Sequence, residues 1–188
     1  MAKTLISTPL NITTSDTAVS TVSITSGIDS TYPVYEFHYV NIHPETDNTE
    51  FQFQVETGSD SDYDHPMTTT YFQAHNDESS GTPALAYSGG DDQETSGDGN
   101  GVFQTLAKDV GAGEADQSTS GILTLYDPSN TTYAKHLIAT SNCYQGGDTS
   151  VQTFVSGYIN ITAAITRVQF KMSSGDIDAG TIKMFGVS

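Results

Sequence analysis

Alternation of hydrophobic and polar residues is the most frequent pattern along the chain. It is clearest in YEFHY at residues 35–39 and in FQFQV at residues 51–55. A period of two residues is typical of a β-strand that buries one face, because successive side chains point to opposite sides of a sheet. We therefore predict two such strands, whose inward residues are Tyr35, Phe37, Tyr39, Phe51, Phe53 and Val55.

Runs rich in β-branched and aromatic residues predict further strands. They occupy residues 18–25, 67–72, 121–126, 132–139, 150–155, 158–161, 165–172 and 181–185. Turn-forming sequences lie between them, as in DPSN at residues 127–130, where Asp and Asn can bond their own backbone and Pro fixes φ. About ten short strands separated by turns indicate an all-β sandwich or barrel.

Helical patterns are scarce. The best candidate is residues 104–110, which Gly111 and Gly113 would end, although the same region also fits a strand near residues 102–106. Residues 76–120 are rich in Gly, Ser, Asp and Glu, and we interpret them as long acidic surface loops. We predict one β-sandwich domain over residues 1–188, with a loop-rich insert at about 76–120.

The charge balance narrows the possible partners. Six Lys and Arg residues stand against 23 Asp and Glu residues, which gives a formal net charge of −17. Such a chain is repelled by the phosphates of nucleic acids and by anionic membrane surfaces. Neither an apolar signal segment nor a run of roughly 18 apolar residues is evident, so we expect the chain to be made and kept in the cytosol, or to leave by lysis. The many Tyr, Phe, Val, Ile and Thr residues argue against disorder.

An alternating acidic cluster raises the question of a calcium site. Asp60, Asp62 and Asp64 have the spacing found at the start of a calcium-binding loop. His65 and Tyr71 stand where an EF-hand has its Gly and its Glu. We favour a solvated hairpin end between two strands, and calcium binding is the alternative that the sequence leaves open.

Other candidate chemical groups lack a complete motif. His38 and His43 have the spacing of a zinc-finger pair without the accompanying cysteines, and His136 is a possible neighbour of His38. His65 and His75 flank a predicted strand. Cys143 cannot form an intramolecular disulfide, because it is the single cysteine, and it is typical of a packed strand residue. We predict no catalytic residues, no metal site and no cofactor.

Several segments resemble structural proteins of tailed bacteriophages, especially those of marine phages and cyanophages. The similarity is strongest in residues 168–187 and extends to residues 26–32, 127–136 and 151–160. This resemblance implies a jelly-roll-like antiparallel β-sandwich and a place in the virion. It supplies no catalytic residues.

These observations favour a non-enzymatic structural protein. We expect a capsid decoration, or cement, protein on the outer head surface, bound to the major capsid protein and to itself as a homotrimer. The alternative is a tail-associated or fibre module that binds a host-surface glycan or protein, since outward faces rich in Thr, Gln and Tyr suit flat aromatic contacts and hydrogen bonds. A glycan-active enzyme would need two carboxylates across a cleft.

Overall fold

The computed structural model describes residues 2–79, 81, 83–94 and 102–188, and this part of the chain is all-β. No helix long and apolar enough to cross a membrane occurs in it. The strands are β1 (Lys3–Ile12), β2 (Thr21–Ile24), β3 (Val34–Pro44), β4 (Thr49–Thr57), β5 (Met67–Asp77), β6 (Ala84–Tyr87), β7 (Gln104–Val110), β8 (Thr119–Tyr126), β9 (Lys135–Gln145), β10 (Thr149–Ile159), β11 (Ile165–Met172) and β12 (Ile177–Val187).

The strands form two packed antiparallel layers. The large sheet has the order β1-β12-β3-β8-β9-β10-β5-β6, and the small sheet has the order β7-β4-β11-β2. One β-bridge at each side connects the layers: Val110 pairs with Gln145, and Val19 pairs with Ile177. The prediction of an all-β antiparallel sandwich is confirmed, and its two sheets form a nearly closed structure. The jelly-roll connectivity stays a prediction.

Aromatic side chains from both sheets meet in the core. The ring of Phe170 in β11 lies 5.7 Å from that of Phe37 in β3 and 5.7 Å from that of Phe51 in β4. Tyr39 packs on Phe51 at 5.1 Å. All the inward residues predicted from the two alternating segments are fully buried. Each buried aromatic ring stabilises the fold by roughly 1.5–3 kcal/mol through its removal from water.

Some strand predictions need correction. The helical candidate at residues 104–110 is wrong, because this segment is β7, pairs with β4 and buries Leu106 and Ala107 between the sheets. Residues 150–155 and 158–161 are not two strands, since β10 runs continuously over Thr149–Ile159. Two further strands, β1 and β6, lack the alternation that would have predicted them.

The outer face of the small sheet is covered over β4. Gln52 and Gln54 point away from the core as expected, but Gln54 is completely buried and donates hydrogen bonds to the carbonyls of His65 (3.1 Å) and Val102 (2.8 Å). Residues 58–66 and part of the predicted acidic loop therefore form a third layer over β4. In that loop Asp91 is buried and paired with Lys108 at 2.7 Å, and residues 95–101 lie outside the described chain.

Candidate functional site

The outward side of the large sheet carries an extended surface without Asp, Glu, Lys or Arg. It is formed by the outward side chains of five adjacent strands, β8, β9, β10, β5 and β6, and we call it the neutral face. Its residues are Ser120, Ile122, Thr124, Tyr126, His136, Ile138, Thr140, Asn142, Tyr144, Ser150, Gln152, Phe154, Ser156, Tyr158, Thr68, Thr70, Phe72, Ala74, Asn76, Leu85 and Tyr87. None of these is Asp, Glu, Lys or Arg.

The absence of charge is notable for this chain, which has a net charge of −17. Charged side chains resume beyond β8: Lys3, Glu36 and Lys183 lie on the other strands of the same sheet. At the β6 rim Asp92 accepts a hydrogen bond from the hydroxyl of Tyr87. Depletion of charge is characteristic of the centre of a protein interface, where water must be removed.

The middle of the neutral face is aromatic. Phe154 in β10 pairs directly with Phe72 in β5, and their rings stack at 4.9 Å with an interplanar angle of 12°. Tyr87 in β6 continues this row, because it pairs with Phe72 on the other side. Ile138 and Leu85 border the row and are 48% and 73% exposed. Large apolar side chains this accessible are costly to leave in water, and they favour contact with a partner.

A cavity of about 400 Å³ lies at one end of the neutral face. It is lined by Tyr126, Asp127, Asn130, Tyr133, Ala134 and His136, which come from the end of β8, the start of β9 and the connection between them. The connection is held by side-chain bonds: Asn130 Nδ2 donates to Asp127 Oδ2 (2.8 Å). Asn130 Oδ1 accepts from the amides of Thr132 (2.7 Å) and Tyr133 (2.9 Å).

A buried lysine fixes the same connection from below. Lys135 is 1% exposed, and its ammonium donates to the carbonyls of Tyr133 (3.1 Å), Ile161 (3.2 Å) and Thr162 (2.9 Å). Burial lowers the pKa of Lys135, and the negative charge of Asp127 partly offsets that effect. The backbone of Tyr133 is thus bonded at both its amide and its carbonyl, while its ring is 70% exposed.

The predicted metal-binding candidates are not brought together. Asp60, Asp62 and Asp64 lie in the connection between β4 and β5 with their side chains exposed. Throughout residues 2–79, 81, 83–94 and 102–188, no three His, Cys, Asp or Glu side chains are grouped to hold a metal ion. In this connection Tyr63, rather than an aspartate, points inward and is buried.

The histidines engage separate carboxylates. His38 lies 2.7 Å from Glu36, His43 lies 2.7 Å from Asp178, and His65 lies 2.7 Å from Glu56. His136 is not a neighbour of His38. His38 pairs with Ile122 in β8, and Ile122 pairs with Thr140 in β9. His136 lies four residues before Thr140 and is therefore well away from His38. His75 lies within β5 rather than beside it.

Cys143 is packed in β9, as predicted. Its side chain is fully buried, and the thiol donates a weak hydrogen bond to the carbonyl of Lys108 at 3.7 Å. Burial, with a further contribution from the charge of Asp109, raises the pKa of Cys143 to about 12. A thiol in this state is a poor nucleophile, because the reactive species is the thiolate.

Comparisons with known proteins add no family assignment. The chain matches no protein-family model, no curated protein and no solved structure at a significant level. A fold alone does not determine function, which depends on the chemistry of the surfaces.

Sequence reasoning identified outward faces rich in Thr, Gln and Tyr, but not the neutral face itself. In β10 the structure places Gln152, Phe154, Ser156 and Tyr158 on the outward side. The sequence does not predict that β8, β9, β10, β5 and β6 are neighbours in the sheet. The cavity could not be predicted either. Its loop is anchored by the buried side chain of Lys135, and a lysine is normally expected at an exposed position.

Proposed function

We propose that this chain is a non-enzymatic structural protein of a bacteriophage particle, a decoration protein on the outside of the capsid. The neutral face is the observation that carries the proposal. It offers a docking surface for the major capsid protein, and the acidic remainder of the molecule stays in solvent and is repelled by packaged DNA. The sequence resemblance to phage structural proteins supports the same assignment.

The size of the neutral face is that of one ordinary protein interface. The eight residue steps from Ser150 to Tyr158 give a length of roughly 27 Å, and four gaps between strands give a width of roughly 19 Å. Its exposed side chains add accessible surface beyond this flat footprint, so the face is comparable with the ~800 Å² that each partner contributes to a standard interface. A homotrimer would engage three such surfaces together and gain from their high effective concentration.

A binding assay with undecorated heads tests the proposal. Purified protein is mixed with heads that lack it, and we expect it to co-sediment with them and to raise their resistance to heat. Leu85→Asp places a carboxylate on the neutral face and should weaken co-sedimentation at least tenfold, because a buried unpaired charge is costly. Leu5→Asp is the matched control, since Leu5 is also exposed (52%) but lies on β1, at the opposite edge of the same sheet.

Equal binding by the two variants would contradict docking through the neutral face.

Antibody labelling of intact particles tests the location independently. Gold on the heads supports decoration. Gold confined to the tails would contradict decoration and favour the alternative, a tail-associated module that binds a host-surface glycan or protein. Absence of the protein from purified particles by mass spectrometry would remove the virion assignment.

A further inference from the structure

The cavity between β8 and β9 has a different chemistry from the centre of the neutral face. Two tyrosines, Tyr126 and Tyr133, contribute to its walls with 38% and 70% of their surface accessible. Asp127, Asn130 and His136 supply polar groups at the same opening. An aromatic wall with a few convergent hydrogen-bonding groups is typical of small-molecule sites.

The backbone that carries the exposed ring of Tyr133 is fixed before any ligand arrives. The Tyr133 amide donates to Asn130 Oδ1, and the Tyr133 carbonyl accepts from the buried ammonium of Lys135. The same ammonium also binds the carbonyls of Ile161 and Thr162, so the loop is fastened to the connection between β10 and β11. A loop whose backbone is already ordered loses less conformational freedom on binding, and this preserves affinity.

The polar groups favour hydroxyl donors. Asp127 Oδ2 is occupied by Asn130, but no described residue donates a hydrogen bond to Asp127 Oδ1. A carboxylate oxygen in this position accepts a hydrogen bond from a ligand hydroxyl. The same carboxylate, on a chain with a net charge of −17, disfavours an anionic ligand. The site therefore suits a molecule that has an apolar face, several hydroxyls and no negative charge.

We propose that this cavity is a binding site for one neutral hexopyranose unit of a glycan. The C–H face of the sugar stacks on Tyr133 and Tyr126, a sugar hydroxyl donates to Asp127 Oδ1, and the ring of His136 contributes a further hydrogen bond. Tyr158 extends the site, because it pairs directly with His136 on the neighbouring strand. The next sugar of a longer glycan contacts this tyrosine. The inference goes beyond the decoration role and does not rest on it.

Nuclear magnetic resonance on the isolated protein tests the site. Amide spectra are recorded during titration with the methyl glycosides of glucose, galactose and mannose, and separately with glucuronic acid. We expect at least one neutral glycoside to shift the signals of residues 126–136, and glucuronic acid to bind at least tenfold more weakly. Shifts for none of the sugars, shifts centred elsewhere, or a preference for glucuronic acid would overturn the proposal.

Variants separate stacking from general surface effects. Tyr133→Ala removes the ring and should weaken binding at least tenfold, whereas Tyr133→Phe keeps the ring and should bind within about threefold of the unmodified chain. Val40→Ala is the control, because Val40 is 48% exposed on β3, away from the cavity. Equal loss in all three variants, or no loss in Tyr133→Ala, would contradict the site. Because this assay needs no particles, its failure leaves docking to heads unaffected, and the reverse also holds.

Discussion

At the scale of single residues, Lys135 is the least expected feature of the molecule. A fully buried ammonium is tolerated because each of its three protons has a carbonyl acceptor. These carbonyls belong to two connections, one after β8 and one after β10. A single side chain thus joins two loops that are far apart in sequence, and it does so directly beneath the cavity.

We predict that Lys135→Met destabilises the protein by about 2–4 kcal/mol. Methionine keeps the apolar stem but leaves three carbonyl oxygens without the charged donor that they share, and hydrogen bonds to a charged group contribute more than neutral ones. The free energy of unfolding from urea denaturation measures the effect. Lys183→Met, at an exposed position on β12, should change it by less than about 0.5 kcal/mol. Similar losses in both variants would show that the three carbonyl bonds are not the cause.

At the scale of elements, the connection between β4 and β5 is organised by one carboxylate. Glu56 accepts hydrogen bonds from the amides of Thr57 (2.6 Å) and Tyr63 (2.8 Å) and lies 2.7 Å from the ring of His65. Burial alone would raise the pKa of Glu56. The two amide bonds and the positive charge of His65 outweigh burial, so the pKa of Glu56 lies below its usual value.

This arrangement predicts a defined loss of stability in acid. The unfolded chain takes up the Glu56 proton at an ordinary pKa of about 4.3, whereas the folded chain takes it up only at lower pH. The stabilisation is therefore complete above that pKa and is lost as the pH falls towards the folded value. Unfolding free energies at pH 7, 5 and 3.5 should decline more steeply in the unmodified chain than in Glu56→Gln.

Glu45→Gln is the control for this measurement, because Glu45 is exposed in the connection after β3. Its stability should follow the unmodified chain at every pH. Glu56→Gln should already be weaker at pH 7 by about 1–3 kcal/mol, since it loses charged hydrogen bonds. A pH profile of Glu56→Gln that coincides with the unmodified profile would exclude the carboxylate as the source.

For individual strands, the sequence predicts which residues face the core but not which outward residues are covered by other segments. Phe51, Phe53 and Val55 could be assigned to the core because a period of two is a local property of the chain. The same period predicts that Gln54 points outward, yet Gln54 is buried, because residues 58–66 and Val102 cover it. Burial of that kind depends partly on contacts distant in sequence, since Val102 lies 48 residues further along the chain. The same reason explains why the neighbours of β10, and hence the neutral face, could not be predicted.

At the scale of the whole molecule, the excess of negative charge opposes the compact state. Among the cations, Lys3 and Lys108 are paired with Glu36 and Asp91, and Lys135 is buried beneath its loop. They do little to neutralise the exposed acids. Repulsion among exposed carboxylates extends over a Debye length, which falls from about 30 Å at 0.01 M salt to about 3 Å at 1 M.

We therefore predict that sodium chloride stabilises the protein. The melting temperature should rise by several degrees between 0.01 M and 0.5 M, because screening weakens the repulsion in the folded state. The triple variant Asp60→Asn, Asp62→Asn and Asp64→Asn removes three exposed charges and should show a smaller rise. A melting temperature that falls with salt would mean that attractive ion pairs dominate instead. Stabilisation by calcium beyond that of sodium at equal ionic strength would identify these aspartates as a calcium site.

The free edge at β6 has a consequence for how the protein behaves in concentrated solution. Within the described chain this strand pairs only with β5, and its residues Ala84, Leu85, Ala86 and Tyr87 are all exposed. An apolar strand edge of this kind can template the addition of another chain and begin a fibril. Mutual repulsion keeps copies apart at neutral pH, but the chain approaches zero net charge near its isoelectric point of about 4.1. Storage near pH 4 would thus remove the electrostatic barrier that keeps one edge from meeting another.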